Sequence, residues 1–128
     1  MSRSSKTLFL ALSLFALVAC TSRTLLQPEV RLATDREVGQ AELQQAIVTA
    51  LEARRWQVDK VEPAQILASI NVRQRHQAWI AIDYSPLGYQ IRYRDSRGLD
   101  YEDGEIHRNY NRWIKKLNAG IQRQLNTL

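Results

Sequence analysis

The 128-residue sequence is poor in the residue types that most often build reactive or cross-linked sites. It contains one cysteine, one methionine, two histidines and two phenylalanines. A single cysteine forms no internal disulfide and offers no pair of thiolates to a metal ion. No serine stands between the glycines of a nucleophile elbow. These absences argue against an enzyme and predict no catalytic residues, no metal and no cofactor.

The chain also lacks an apolar run long enough to cross a membrane. Its longest, almost unbroken run extends from Thr7 to Val18 and follows Arg3 and Lys6. About twelve apolar residues in a helix rise roughly 18 Å, whereas a hydrocarbon core is about 30 Å thick. The length of this run, its position and the preceding positive charges are typical of a secretory signal peptide.

The apolar run ends in Leu17-Val18-Ala19-Cys20. This stretch resembles the lipobox of bacterial lipoproteins. In that class the cysteine thiol receives a diacylglycerol, the chain is cut before the cysteine, and the new N-terminus is acylated, for example with palmitate. The resemblance implies a signal peptide over residues 1–19 and lipidation at Cys20. Because Thr21 and not aspartate follows, it also implies a periplasm-facing lipid anchor in the outer membrane of a Gram-negative cell.

Removal of residues 1–19 changes the composition on which functional arguments depend. Arg3 and Lys6 are lost, so the remaining 109 residues have 16 lysines and arginines against 13 acids, and the net charge falls from +5 to +3. This length fits one domain. The small excess of positive charge on an exported chain does not indicate nucleic-acid binding.

The segment after the cysteine separates the anchor from the domain. Thr21 to Ala33 has no helical period and contains Pro28. We therefore expect residues 20–38 to be a lipidated N-terminus and tether, in which a few extended residues can lie on the domain. Thirteen residues span at most roughly 45 Å. Residues 39–128 are expected to form a single domain.

Hydrophobic periodicity predicts an α+β fold for that domain. A helical period extends over residues 39–54 and returns from His107 onward, whereas residues 56–61 alternate as a short strand. Three further alternating runs include Ile66 to Val72, Ala78 to Tyr84 and Tyr89 to Tyr93. The prediction is a helix, a short strand, a three-stranded antiparallel meander and a C-terminal helix, with both helices on one face of the sheet.

The other face of the predicted sheet is rich in arginine. A turn over residues 85–88 sets three facing pairs, namely Tyr84 with Tyr89, Ile82 with Ile91 and Ile80 with Tyr93. On the opposite face the same register places Trp79 beside Arg94 and Ala81 beside Arg92. The candidate anion- or partner-binding residues are Arg73, Arg75, Trp79, Arg92 and Arg94. Arginine forks suit phosphate or carboxylate. The alternative is a solvated face whose charges discourage edge pairing and are partly neutralised by nearby aspartates.

Two other polar stretches have simpler interpretations. The acidic loop from Asp100 to Glu105 lacks the ligand spacing of an EF-hand and is interpreted as a solvated turn. Residues 107–113 resemble the start of the C-terminal helix in small uncharacterised proteobacterial envelope lipoproteins of about this length. That resemblance brings no assigned activity.

Three functional hypotheses follow from the sequence. The first is a non-catalytic envelope lipoprotein that binds a protein or an anionic glycolipid through its sheet face. The second is an interaction or assembly module that uses its helix surface. The third is a small hydrolase built around His76 or His107. The sequence leaves the oligomeric state open.

Overall fold

The computed structural model describes residues 21–33, 35 and 37–128. The segment predicted to be a signal peptide, residues 1–19, and the predicted lipidation site Cys20 lie outside the described residues. Within these residues the chain forms two helices and seven strands, which confirms the α+β class. The elements are β1 (Ser22–Thr24), β2 (Glu29–Arg31), α1 (Gln40–Ala53), β3 (Gln57–Glu62), β4 (Gln65–Val72), β5 (His76–Ser85), β6 (Gly88–Arg97), β7 (Glu105–His107) and α2 (Arg108–Asn126).

The main sheet has five antiparallel strands in the order β2-β6-β5-β4-β3. Strands β3 to β6 are consecutive neighbours in the sheet. The short strand predicted before the meander, β3, therefore belongs to the same sheet and forms one of its edges. The predicted hairpin register is confirmed, since Tyr84 faces Tyr89 and Ile82 faces Ile91. A short polar turn between alternating strands was sufficient to set this register.

Part of the expected tether belongs to the folded unit. Strand β1 pairs with β7 in a separate two-stranded sheet, where Ser22 faces His107. Strand β2 pairs with β6, where Val30 faces Tyr89, and forms one edge of the main sheet. The extended residues allowed by the sequence therefore lie on the domain as two strands, ahead of the boundary expected at Gly39.

A single asparagine fixes the connection between these two strands. The side-chain amide of Asn111 donates to the carbonyl of Thr24 at 2.8 Å, and its oxygen accepts from the backbone N–H of Leu26 at 3.0 Å. The backbone groups of an irregular segment need such partners when the segment packs against a protein surface. Asn111 thus ties the start of α2 to the N-terminal segment.

Both helices pack on the same face of the main sheet, here called the inner face. The core joins their buried residues to the inner-face side chains of the strands. The buried residues of α1 are Leu43, Ala46, Ile47, Ala50 and Leu51, and those of α2 are Tyr110, Ile114, Leu117, Gly120, Ile121 and Leu125. Neither α1 nor α2 packs on the opposite side of the sheet, here called the outer face.

Candidate functional site

The centre of the outer face is occupied by an ion pair. The guanidinium of Arg92 donates from Nε to Oδ2 of Asp83 and from Nη2 to Oδ1 at 3.1 Å. Gln65 donates to the same Oδ1 from the neighbouring strand at 2.9 Å. The hydrogen bond from Arg92, with a smaller contribution from Gln65, lowers the pKa of the Asp83 carboxyl against the opposing effect of burial. Asp83 therefore neutralises the charge of Arg92, which is one of the five candidate residues.

This ion pair predicts a small dependence of stability on pH. Because the pKa of Asp83 is lowered by folding, its contribution is present above the ordinary value of 3.8 and is lost as the pH falls below it. We expect Asp83→Asn to reduce the free energy of unfolding by less than about 1 kcal/mol at neutral pH, since the pair is partly exposed. The difference from the parent should shrink below about pH 4. Urea unfolding at the two pH values measures it, and Asp103→Asn in an exposed loop is the control. A difference independent of pH would contradict the assignment.

Trp79 lies on the outer face near the start of β5. The guanidinium of Arg97 stacks over the Trp79 ring, with its carbon 5.6 Å from the ring centroid. This distance is within the range of a cation–π contact. Trp79 is half-buried. An arginine on a tryptophan face presents a planar cation to solvent with its side chain already ordered.

The predicted partner of Trp79 was wrong. The register shifts between Trp79 and Ile80, so Trp79 faces Asp95 and Ile80 faces Tyr93. Arg94 is the extra residue of this bulge and is exposed. A β-bulge adds one residue to one strand and bends it. Strand β6 then continues to Arg97, four residues beyond the predicted end at Tyr93. The sequence contained no signal for the bulge, and for that reason Arg97 was missed.

Arg73 and Arg75 lie in the exposed turn between β4 and β5. This turn and the end of β6 approach closely: a Cβ on Gly98 would lie 1.9 Å from the carbonyl oxygen of Arg75. Gly98 has a φ of +71°, which suits glycine. The backbone of Arg75 therefore lies next to Gly98, the residue after Arg97. Since the Arg97 guanidinium stacks on Trp79, the turn lies close to this pair as well. Arg92, held by Asp83, forms a separate group.

The two histidines come together at the same end of the sheet. The rings of His76 and His107 stack with centroids 5.7 Å apart, and the centroid of the Trp113 ring lies 6.4 Å from that of His76. Nδ1 of His107 accepts from the backbone N–H of Asn109 at 3.1 Å and caps α2. This role is that of an N-terminal capping residue. Sequence spacing gave no reason to expect the two rings to meet, because they are thirty-one residues apart.

A groove of about 730 Å³ lies at the opposite end of the sheet, between the edge strand β2 and the turn between β5 and β6. Its lining includes Val30, Leu32, Leu87 and Tyr89. Among the described residues no three histidines, cysteines or carboxylates are grouped so as to hold a metal ion. None of the helices in the described ranges is long and apolar enough to cross a membrane.

Comparisons with protein-family models, with curated proteins and with solved structures found no match to this chain.

Proposed function

We propose that this chain is a lipid-anchored protein of a bacterial envelope, held in the outer membrane by acyl chains on Cys20. Support for the anchor comes from the tripartite signal and the tetrapeptide Leu17-Val18-Ala19-Cys20. Two or more acyl chains hold a protein stably at a bilayer, whereas one chain of myristoyl size does so only marginally. The domain faces the periplasm and acts by binding a partner and not by catalysis.

The observation that supports binding is the Arg97–Trp79 pair on the outer face. Neither helix covers this face, and the pair sits where the strand register and the bulge fix it. Tryptophan and arginine are the residues most enriched where binding energy concentrates at protein surfaces. A guanidinium already ordered on an aromatic ring loses less side-chain freedom when it binds a phosphate or carboxylate. We therefore propose this corner of the sheet as the contact for an anionic group of an envelope partner.

Site-specific photo-crosslinking in cells tests this proposal. Asn71 is exposed on the outer face, two residues along β4 from Ser69, which faces Trp79. A photo-reactive amino acid at position 71 should give a specific adduct, and one at the exposed Leu87 should not. The mass of the adduct distinguishes a protein from a glycolipid.

Substitutions at the proposed site provide a second test in the same crosslinking experiment. Arg97→Gln combined with Trp79→Ser should remove the adduct at position 71. Arg31→Gln, near the far turn between β5 and β6, should leave it intact. Absence of an adduct at position 71, or an adduct that survives both changes at the site, would refute the outer-face proposal.

A further inference from the structure

Strand pairing places three arginine-bearing segments at one end of the domain. Val72 faces His76 across the turn that contains Arg73 and Arg75. Gln77 faces Arg97, so β6 ends beside that turn. Strand β3 begins at this end as well, since Gln57 faces Ser69 on the neighbouring strand. The connection from α1 into β3, residues 54–56, therefore arrives at the same end.

The N-terminal segment and the start of α2 also lie at this end. The ring of His107, which precedes α2, stacks on His76 at the start of β5. The backbone N–H of Arg108 donates to the carbonyl of Thr21 at 2.8 Å. Thr21 immediately follows Cys20 in the chain. One residue therefore separates the proposed lipid-bearing cysteine from a backbone hydrogen bond to α2.

Six exposed arginines cluster in these segments and define what we call the basic pole. They are Arg54, Arg55, Arg73, Arg75, Arg97 and Arg108. The acids within two residues of them along the chain are Glu52 and Asp95. In the described part of the chain, ion pairs join Lys60 to Glu62 and Arg92 to Asp83, outside the pole. The basic pole thus has an excess of positive charge.

The opposite end of the sheet differs in charge. Its two hairpin turns, residues 63–64 and 86–87, contain no charged residue. The end of the acidic loop, residues 102–105, leads away from the pole, because Glu105 pairs with Thr24 at the far end of β1 while His107 pairs with Ser22. Its first residue, Asp100, borders the pole, since the carbonyl of the preceding Leu99 accepts from the N–H of His107. The charge asymmetry of the domain therefore follows the strand direction, with the positive end where the chain enters.

We infer that the basic pole rests on the anionic phospholipid headgroups of the membrane that holds the anchor. This inference relies on the proposed function for the position of the lipid at Cys20. A residue spans at most about 3.6 Å, so a lipid on Cys20 brings the neighbouring pole to the bilayer surface. Attraction of arginine to an anionic leaflet decays over roughly 8–10 Å. In this orientation the pole lies within that distance of the headgroups, and the far turns lie beyond it.

Vesicle binding by the mature chain with Cys20→Ser tests the pole without the lipid. The protein is sedimented with vesicles of phosphatidylcholine alone and with vesicles of equal parts phosphatidylcholine and phosphatidylglycerol. We expect binding to the second kind only, and its loss in about 1 M salt, where screening acts within roughly 3 Å. Each arginine near an anionic surface contributes about fivefold in affinity. The triple variant Arg54→Gln, Arg73→Gln and Arg75→Gln, which leaves Arg97 in place for the partner contact, should therefore bind about 100-fold more weakly.

A second triple variant controls for net charge. Arg31→Gln, Lys116→Gln and Arg123→Gln remove the same number of charges from exposed positions near the far turn and along α2. This control should keep vesicle affinity within about fivefold of the parent. Thermal unfolding of all three proteins verifies that each is folded before binding is compared.

The outcomes separate this inference from the proposed anchor. Equal losses in the two triple variants, or binding that ignores phosphatidylglycerol, would overturn the assignment of the pole. Neither result bears on acylation, which is read from the mass of the membrane-extracted protein. Conversely, a Cys20 without lipid would refute the anchor while the vesicle assay still decides whether the pole binds anionic headgroups.

Discussion

Replacing Tyr110 by alanine is expected to remove a large share of the stability of the domain. Tyr110 is fully buried in the first turn of α2, and its ring meets that of Tyr93 edge-on with centroids 5.7 Å apart. Truncation of a buried aromatic side chain costs about 3–5 kcal/mol, and domains of this size have only about 5–15 kcal/mol in total. Urea unfolding followed by tryptophan fluorescence measures the loss, and we expect Tyr110→Ala to shift the midpoint strongly downward.

The conservative change at the same position, Tyr110→Phe, should not destabilise the domain. The Tyr110 hydroxyl is buried without a hydrogen-bond partner in the described structure, and burial raises its pKa above the ordinary value. A buried unsatisfied hydroxyl costs about 1–3 kcal/mol. Tyr110→Phe keeps the ring and removes this cost, so it should be neutral or stabilising. A loss as large as that of Tyr110→Ala would show that the hydroxyl has an energetically important partner.

Gly98→Ala is expected to disrupt the contact between β6 and the turn between β4 and β5. A Cβ at this position would lie 1.9 Å from the carbonyl oxygen of Arg75, so backbone atoms must move apart. The positive φ adds about 1 kcal/mol, and overpacking adds about 1–3 kcal/mol. We therefore expect a loss of about 3 kcal/mol in the free energy of unfolding, measured by urea titration.

Gly104 provides a matched control for this second prediction. Its φ of +76° is close to that of Gly98, but a Cβ there would meet no atom within 4 Å. Gly104→Ala should therefore show the conformational cost alone, about 1 kcal/mol. The difference between the two variants measures the close approach at Gly98. Equal losses would mean that the turn and the end of β6 are not in contact, which would also remove one support of the basic pole.

The parts of the fold that the sequence predicted are those with strong local patterns. The first helix was expected over residues 39–54 and spans Gln40–Ala53, because its apolar residues repeat with the helical period. The β5–β6 hairpin was expected in its observed register, because the turn chemistry and the alternation agree. In both elements the residues that decide the structure are neighbours in the chain.

The parts that the sequence missed depend on distant partners. Strands β1 and β2 have three residues each, too few for alternation to be recognised, and β1 pairs with residues 105–107 near the other end of the chain. The helical side chain that fixes their connection, Asn111, is equally remote in sequence from the carbonyl of Thr24. Short strands of this kind form because tertiary packing and remote hydrogen bonds stabilise them.

The candidate site was predicted in part, for the same physical reasons. Alternation correctly placed Arg92 and Trp79 on the outer face, but it did not reveal that Arg92 is held by Asp83. Because of the bulge, Trp79 faces Asp95 and not Arg94. Strand β6 also continues to Arg97, beyond its predicted end. Arg73 and Arg75 lie in the turn before β5. Whether they belong to a larger basic surface depends on which other segments reach that end of the sheet, and these segments are distant in sequence.

The proposed lipid anchor and the proposed contact of the basic pole with headgroups together define how the domain is positioned. A tether of up to roughly 45 Å would have let the domain act away from the membrane. Strand β1, which pairs with β7, begins two residues after Cys20 in the chain. The account therefore places the domain directly on the bilayer, with the Arg97–Trp79 corner near the membrane surface and the far groove pointing away.

The intact mass of the protein extracted from the membrane fraction tests this account most directly. Processing at the lipobox predicts a chain of residues 20–128 whose Cys20 bears a diacylglycerol and an acyl group on its new N-terminus. The lipids should be found on the peptide that begins with Cys20. An unmodified Cys20, or a mature chain that begins at another residue, would contradict the anchor on which the account is built.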